Sequence, residues 1–233
     1  MTLPAAILAG GVATRLGDLT RDTPKSLIDV AGKPFILHQL DLLRAHGLTD
    51  IVVCTGHLGD RVEEVVGDGS RYGVRVRYCP DGPTPLGTGG ALRHAVPLLG
   101  ESFFALYGDS YLECDYPAVE RRFLMSGRPA LLTVMRNDDR WDRSNVLCAN
   151  GRIVRYSKEH RTADMQHIDY GLAAIRADVF LMYTDDGPLD LARVYEDLSA
   201  RGELAAYEVS ERFYQIGTPS GLAETRQHLE HRA

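Results

Sequence analysis

The first strand and the turn after it constrain this chain most. A short apolar run from Ala5 to Leu8 is followed at once by the glycine pair Gly10-Gly11. Such a run is typical of a buried strand, and the glycines are typical of a sharp turn. Because glycine lacks a Cβ, the backbone can approach a ligand there and point several N–H groups at an anion. Arg15 and Lys25 add two cations, so the region predicts a cradle for a triphosphate.

The elements that follow predict the fold class. The runs at 51–54, 74–78 and 103–107 are typical of strands, and the segments 34–45 and 60–66 carry helical patterns between them. A strand–helix–strand succession of this kind predicts an α/β fold, a mainly parallel sheet with helices on both faces.

The second half of the chain continues the alternation. We expect helices at 91–96, 116–125, 190–201 and 219–231, and a core strand at 129–135. Asn150-Gly151 is a strong hairpin signal between the short strands 146–149 and 152–156. A chain of 233 residues without a long linker is expected to form one domain.

Composition excludes several classes of partner. The net charge of -6 argues against nucleic acid or an anionic membrane as the main partner. The apolar start of the chain is too short for a signal peptide or a membrane span, so a cytoplasmic protein is expected. The four cysteines are widely spaced, which predicts free thiols rather than a zinc or redox pair.

The pattern Gly-Gly-x-x-Thr-Arg-Leu followed by Pro-Lys-Ser-Leu is the most specific motif. It is neither the P-loop nor the dinucleotide fingerprint. It resembles the signature of the sugar-1-phosphate nucleotidyltransferases, the NDP-sugar pyrophosphorylases. The resemblance implies a Rossmann-like three-layer sandwich with a mainly parallel mixed sheet. It also implies a nucleotide-binding half at about 1–112, a sugar-phosphate half at about 113–218 and a terminal helix at about 219–232.

The resemblance assigns roles to the nucleotide end. Arg15 would hold the leaving phosphates, and Lys25 would neutralise the region of the α-phosphate. The predicted nucleotide-binding residues come from the first turn and from a second glycine cluster against the base and ribose: Leu8, Ala9, Gly10, Gly11, Thr14, Pro85, Gly87, Thr88 and Gly89. Gly82 stands where thymidylyl- and uridylyltransferases commonly carry Gln, which leaves the nucleobase open.

A carboxylate at the end of a parallel strand suggests a metal. Asp109 follows the strand 103–107, at the sheet edge where ligands bind, and suits Mg²⁺ together with substrate phosphates. Tyr111 replaces the second Asp of a glycosyltransferase motif, which favours nucleotidyl transfer. The family commonly has a second Asp ligand where this chain has Gln215, whose amide oxygen brings no charge, so weaker metal binding or a differently built site is expected.

The predicted sugar-phosphate residues lie in the second half. Lys158 matches the family's lysine for the sugar phosphate, although Ser157 and Glu159 replace its usual neighbours. The segment 168–172 resembles the one that passes along the sugar. There Asp169 or Tyr170 would bond sugar hydroxyls, and Gly171 would permit close approach.

Together these features imply transfer of a nucleotidyl group from a nucleoside triphosphate to a sugar 1-phosphate, with Mg²⁺ and release of pyrophosphate. Within the family, the chain looks most like guanylyltransferases that act on heptose 1-phosphate for bacterial surface polysaccharides. Cytidylyl or uridylyl transfer stays open, and the spacing fits a molybdopterin-type guanylyltransferase less well. Gln215 keeps a non-catalytic nucleotide-sugar-binding regulatory subunit open, which retention of Arg15, Lys25 and Asp109 opposes. The terminal helix could pack on the body or form a homodimer.

Overall fold

The computed structural model describes residues 2–11, 16–17, 22–185 and 187–232. The described strands, in chain order, are β1 (Ala5–Leu8), β2 (Asp29–Val30), β3 (Lys33–Pro34), β4 (Asp50–Thr55), β5 (Arg75–Pro80), β6 (Ser102–Tyr107), β7 (Ser110–Tyr111), β8 (Ala130–Arg136), β9 (Val146–Ala149), β10 (Arg152–Tyr156), β11 (His167–Arg176), β12 (Leu204–Val209) and β13 (Tyr214–Gln215). The described α-helices are α1 (Phe35–Ala45), α2 (Gly59–Val66), α3 (Gly87–Leu99), α4 (Tyr116–Ser126), α5 (Leu191–Ala200) and α6 (Pro219–Glu230).

Across the described residues, nine strands form one mixed sheet in the order β5-β4-β1-β6-β11-β8-β12-β10-β9. The strands β5, β4, β1 and β6 pair in parallel, as do β8 and β12. Strand β11 is antiparallel to both β6 and β8, so these two groups run in the same direction. The predicted α/β fold with a mainly parallel mixed sheet is confirmed.

Side-chain alternation divides the core between the two faces of the sheet. On β1, Ala6 belongs to one apolar cluster, while Ala5 and Ile7 belong to the other. The first cluster includes residues of α3 and α5, and the second includes residues of α1, α2 and α4. Because successive strand side chains point to opposite faces, a strand buried on both sides gives a helix–sheet–helix sandwich.

A third and smaller apolar cluster anchors α6. Leu222 and Leu229 on this helix pack with Phe35, Tyr111 and Ile216. The terminal helix therefore packs on the body of the same chain. None of the helices in the described part of the chain has the length and apolarity needed to cross a membrane.

Helix α3 differs from its predicted bounds. It begins at Gly87 rather than 91 and continues through Pro97 to Leu99. The glycine cluster thus forms the first turn of the helix instead of a loop before it. Proline usually ends a helix, which explains the early predicted end, but at position 97 it lies within the last turn.

The direction of the strands decides where a ligand can bind. The parallel strands β1, β4, β5 and β6 all end at the same edge of the sheet, and antiparallel β11 begins there. In open α/β sheets, ligands bind outside the carboxyl ends of the strands. The fold therefore gathers the loops after four strands and the start of a fifth.

Candidate active site

A pocket of about 670 Å³ opens at this carboxyl edge. Its walls come from the ends of β1, β4, β5 and β6 and the start of α3: Leu8, Ala9, Gly10, Gly11, Lys25, Cys54, Gly56, His57, Asp81, Gly82, Pro83, Pro85, Gly87, Thr88, Ala91, Tyr107, Gly108 and Asp109. This volume lies within the range of small-molecule and cofactor sites.

Seven of the nine predicted nucleotide-binding residues line this pocket: Leu8, Ala9, Gly10, Gly11, Pro85, Gly87 and Thr88. Arg15 and Thr14, which we predicted to bind the triphosphate, lie outside the described residues. Gly89, the remaining described residue of this set, does not line the pocket, and its N–H donates to the Leu189 carbonyl at 2.8 Å.

Three glycines bring the loops of the pocket floor into contact. A Cβ on Gly56 would lie 2.7 Å from the Gly10 carbonyl oxygen, and one on Gly108 would lie 2.8 Å from that of Leu8. Real Cβ atoms do not approach this closely, so a larger residue at either position would push the loops apart. The sequence singled out Gly10 for turning, but its contact with Gly56 was visible only in three dimensions.

A charged cluster lies at one end of the pocket. Lys25 and Asp109 form an ion pair, with side chains 20% and 26% exposed. A Cβ on Gly217 would lie 3.2 Å from Lys25 Nζ, 3.3 Å from Asp109 Oδ2 and 3.3 Å from Gln215 Oε1. Three residues predicted from separate motifs therefore surround one glycine, and the missing Cβ leaves space between them.

Two sets of hydrogen bonds, one of the backbone and one from a side chain, hold this cluster in place. Strand β13 pairs with β7, which aligns Gln215 with Ser110, and the N–H of Ile216 donates to the carbonyl of Asp109 at 2.9 Å. The buried amide of Gln39 on α1 donates to the carbonyls of Tyr107 and Ser110, at 2.9 and 2.8 Å. Gln39 thus holds the turn that carries Asp109 in a fixed conformation. Sequence reasoning missed it because a single Gln on an apolar helix face gives no motif.

The donors of this cluster fit a magnesium ion. The Asp109 carboxylate and the Gln215 amide offer the hard oxygen ligands that Mg²⁺ prefers, and Gly217 leaves room beside them. Among the described residues, no three or more His, Cys, Asp and Glu side chains group into a metal site. An ion held here would therefore need substrate phosphates and water for its other ligands.

The glycine cluster of α3 packs closely against the loop before α5. A Cβ on Gly87 would lie 2.6 Å from the Leu189 carbonyl oxygen, and one on Gly89 would lie 2.9 Å from the Leu189 side chain. Gly87 also has a φ of +74°, which favours glycine. These glycines therefore permit helix packing as well as a flat pocket wall.

Thr88 joins the two halves of the site. Its hydroxyl donates to Asp190 Oδ1 at 3.1 Å and accepts the N–H of Leu191 at 2.9 Å. Asp190 also caps α5 by accepting the N–H of Ala192. Thr88 was predicted to bind nucleotide, and although it lines the pocket, its hydroxyl already bonds to the second half of the chain.

Asp169 lies near the start of β11, and both oxygens of its carboxylate accept hydrogen bonds from other residues of the protein. Its Oδ1 accepts the N–H of Gly171 at 2.9 Å, and its Oδ2 accepts the hydroxyl of Tyr156 at 3.1 Å. Burial raises the pKa of this carboxyl, opposed by the Gly171 N–H, by Lys158 and by Tyr156. Gly171 has a φ of +99°, and the β11–β8 register shifts beside it, so glycine is required by a bulge.

Of the two alternatives for bonding sugar hydroxyls, Asp169 and Tyr170, the structure does not place Tyr170 beside the pocket. Its ring is buried in the cluster with α4, on the opposite face from Asp169, and its hydroxyl donates to the carbonyl of Glu113 at 3.1 Å. Neighbouring residues on a strand point to opposite faces, so Asp169 and Tyr170 do not share a site.

Lys158 lies near the carboxylates of both Asp169 and Asp190. Its Nζ lies 3.9 Å from Asp190 Oδ1, and both side chains are about half exposed. Tyr107, at the end of β6, lies beside the same group. Its buried hydroxyl has no hydrogen-bond partner among the described residues, and burial, together with the charges of Asp169, Asp190 and Asp109, raises its pKa well above the usual value.

The fold and site define a class: an α/β sandwich with a nucleotide-sized pocket that ends in a lysine–aspartate pair. Solved structures share the fold. A Bacillus anthracis protein assigned as a glucose-1-phosphate thymidylyltransferase has a TM-score of 0.85 and 24% identity, with 97% of this chain and 95% of that chain covered. HddC from Yersinia pseudotuberculosis, complexed with GMP-PN, has a TM-score of 0.80 and 22% identity, with coverage of 98% and 100%.

The chain belongs to the nucleotidyl transferase family, whose model matches residues 4–144, more than half of its length. The N-acetylmuramate alpha-1-phosphate uridylyltransferase of Neisseria meningitidis is 43% identical over 117 residues, which are 50% of this chain and 51% of that enzyme. The mannose-1-phosphate guanyltransferase beta-B of Xenopus laevis is 28% identical over 99% of this chain and 66% of its own. The chain thus spans between about half and two thirds of these relatives, and their names specify different nucleobases.

Proposed function

We propose that this protein transfers a nucleotidyl group from a nucleoside triphosphate to a sugar 1-phosphate, forming an NDP-sugar and pyrophosphate. The observation that carries the proposal is the cluster of Lys25, Asp109 and Gln215 around Gly217, at one end of a nucleotide-sized pocket. Its relatives' names include uridylyl- and guanyltransferases that act on sugar 1-phosphates.

The chemistry asks for positioning and charge neutralisation. A sugar phosphate is already ionised at neutral pH, so its oxygen can attack the α-phosphorus in line without a strong general base. Pyrophosphate then leaves as the new phosphoanhydride bond forms. Catalysis of this kind depends on alignment and on electrostatic stabilisation of the charge that develops.

The chain's own residues divide this work. The turn at Gly10 and Gly11 would receive the phosphates, and the Lys25 ammonium would neutralise the α-phosphate. Asp109 and Gln215 would hold Mg²⁺, which supplies further positive charge to the phosphates when bound. Lys158, beside Asp190, would hold the incoming phosphate, and Asp169 would accept from a sugar hydroxyl.

A panel of substrates tests the proposal. Pyrophosphate release is measured with GTP, CTP, UTP, dTTP and ATP, each with heptose, mannose, glucose and N-acetylmuramate 1-phosphates. The heptose acceptor, for a surface polysaccharide, is the one we expect. We expect turnover with at least one pair and its loss in Asp109→Asn. The matched control, Asp178→Asn, removes an exposed carboxylate that pairs with Arg176 away from the pocket.

The alternative is a regulatory subunit that binds nucleotide sugars without chemistry. It predicts a thermal shift with nucleotides or NDP-sugars and no pyrophosphate from any pair. That result would contradict the proposed activity and leave the binding pocket intact.

A further inference from the structure

Asp81 is a charged residue of the pocket that the mechanism above does not use. It follows β5, and strands β4 and β1 lie between β5 and β6 in the sheet. Three strand spacings of about 4.8 Å separate the ends of β5 and β6, which places Asp81 roughly 14 Å from the cluster around Asp109. The phosphates belong at the Asp109 end, so the base and ribose extend toward Asp81.

The wall around Asp81 suits a flat base. Cys54, Pro85 and Ala91 give the pocket apolar surface, and Cys54 lies on β4 opposite Cys79 of β5. Burial raises the pKa values of both Cys54 and Cys79, and the Asp81 charge adds to the rise in each, which places the carboxylate beside these thiols. Asp81 is thus a charged acceptor in a largely apolar recess.

The backbone around Asp81 fixes the direction of its carboxylate. Its own N–H donates to the carbonyl of Thr55 at 2.8 Å, and its Oδ2 accepts the N–H of Leu86 at 3.3 Å. No hydrogen bond to its Oδ1 is made by the described residues. Burial raises the pKa of Asp81, while the Leu86 N–H and the charge of His94 lower it. Burying a carboxylate oxygen without a hydrogen-bond donor is unfavourable, so Oδ1 of Asp81 is free to accept a donor from a bound ligand.

A carboxylate only accepts hydrogen bonds, so it selects bases by their donors. Guanine has two donors side by side, N1–H and the N2 amino group. Uracil and thymine have one N–H between two carbonyls, and cytosine and adenine each have an amino group beside an acceptor nitrogen. Only guanine, among the common bases, offers the Asp81 carboxylate two donors without an opposing acceptor.

We propose that Asp81 selects guanine, accepting N1–H and N2–H from the base of GTP. The proposal rests on the proposed nucleotidyl transfer and names its nucleotide.

Base analogues test the inference in the unmodified protein. Inosine triphosphate keeps N1–H and loses the amino group, so kcat/KM should fall about tenfold to hundredfold relative to GTP, as expected when a bond to a charged acceptor is lost. Xanthosine triphosphate replaces the amino group with a carbonyl that faces the carboxylate, and should be poorer still. UTP, CTP and ATP should be at least hundredfold poorer than GTP.

The variant Asp81→Asn reverses part of this order. Its amide oxygen still accepts from Leu86 or from N1–H, but its amino group now donates. We expect kcat/KM for GTP to fall at least tenfold and that for xanthosine triphosphate to rise at least tenfold. Glu64→Gln removes an equal charge from the exposed face of α2 and should change neither value. An unchanged melting temperature in Asp81→Asn would show that the fold is retained.

Three outcomes would overturn the inference. Preference for UTP or CTP would show that another group reads the base, while the turnover itself would still support the proposed function. Equal losses for all ribonucleotides in Asp81→Asn, absent with deoxynucleotides, would assign Asp81 to the ribose. An unchanged order in Asp81→Asn would leave the carboxylate as a cap for Leu86 alone. Absence of turnover with every pair would instead contradict the proposed function.

Discussion

The two ends of the site hold their carboxylates in opposite ways. Asp109 pairs with Lys25, remains about a quarter exposed and faces the space left by Gly217. Asp169 has both oxygens bonded by its own chain, and burial raises its pKa. An open ion pair can exchange its partners for phosphate and metal, whereas an enclosed carboxylate is fixed in position. The first end is therefore suited to receive charge and the second to orient a neutral sugar.

The largest expected effect tests the open end. Lys25→Met should lower kcat about 10²- to 10³-fold, because it removes a cation from the transferred phosphate. The melting temperature should fall by no more than a few degrees, because Asp109 is 26% exposed and water can still solvate its carboxylate when Lys25 is removed. Steady-state pyrophosphate release and a thermal melt measure both quantities.

Lys33→Met is the matched control, since Lys33 pairs with Asp41 at 2.5 Å outside the pocket. It should leave kcat unchanged. Equal losses in the two variants, or a large drop in melting temperature with Lys25→Met, would show that the open end is structural.

The variant Asp169→Asn tests the enclosed end, and it should change activity less than Lys25→Met and raise the melting temperature rather than lower it. Asp169→Asn should reduce kcat/KM for the sugar phosphate about tenfold to hundredfold, by weakening a charged hydrogen bond. Its melting temperature at pH 7 should rise, because a buried ionised carboxyl is replaced by a neutral amide.

The pH dependence follows from the raised pKa of Asp169. The folded state favours the protonated carboxyl, so the wild type loses stability as pH rises from the unfolded value near 4 through the folded one. The gain from Asp169→Asn should therefore be full at pH 7 and vanish below about pH 4. As a control, Asp164→Asn should give no gain, because a hydrogen bond from Thr162 lowers the pKa of this exposed residue. A gain that persists below pH 4 would refute the assignment.

A milder change tests the ligands around Gly217. Gln215→Glu keeps the side-chain length and adds a charge, so half-maximal activity should need about tenfold less Mg²⁺, since ligand charge tunes affinity for hard cations. Gln227→Glu, on the exposed surface of α6, should leave the Mg²⁺ titration unchanged. An unaltered requirement in Gln215→Glu would show that Gln215 does not contact the metal.

The smallest expected effect concerns the link between the two ends. Thr88→Val removes the hydroxyl bonds to Asp190 and Leu191, at a cost of about 1 kcal/mol and a melting temperature lower by about 2–4 °C. Thr84→Val, on the exposed loop before α3, should leave the melting curve unchanged. A loss of turnover beyond about tenfold in Thr88→Val would indicate that this hydroxyl contacts substrate.

Site residues could be predicted from the sequence where a local motif marked them. Lys25 and Asp109 were found from local motifs, a Pro-Lys after a glycine turn and a carboxylate after an apolar strand. Gln39 and Asp81 were not assigned roles, because each depends on which strand ends are neighbours. Asp169 and Tyr170 were left as alternatives, because alternate residues of a strand point to opposite faces and the sequence did not show which face meets the pocket.

The sequence by itself determined the α/β class, most of the alternation of strands and helices as far as β10, and the glycine turn, since these depend on periodicity and on conformational freedom at single residues. The tertiary structure alone decided that Gln215 lies beside Asp109, that Gly56 contacts Gly10 and that Thr88 bonds to Asp190. Those contacts join residues between 46 and 106 positions apart. The physical reason is that strand pairing and helix packing select such contacts jointly, and no local pattern records them.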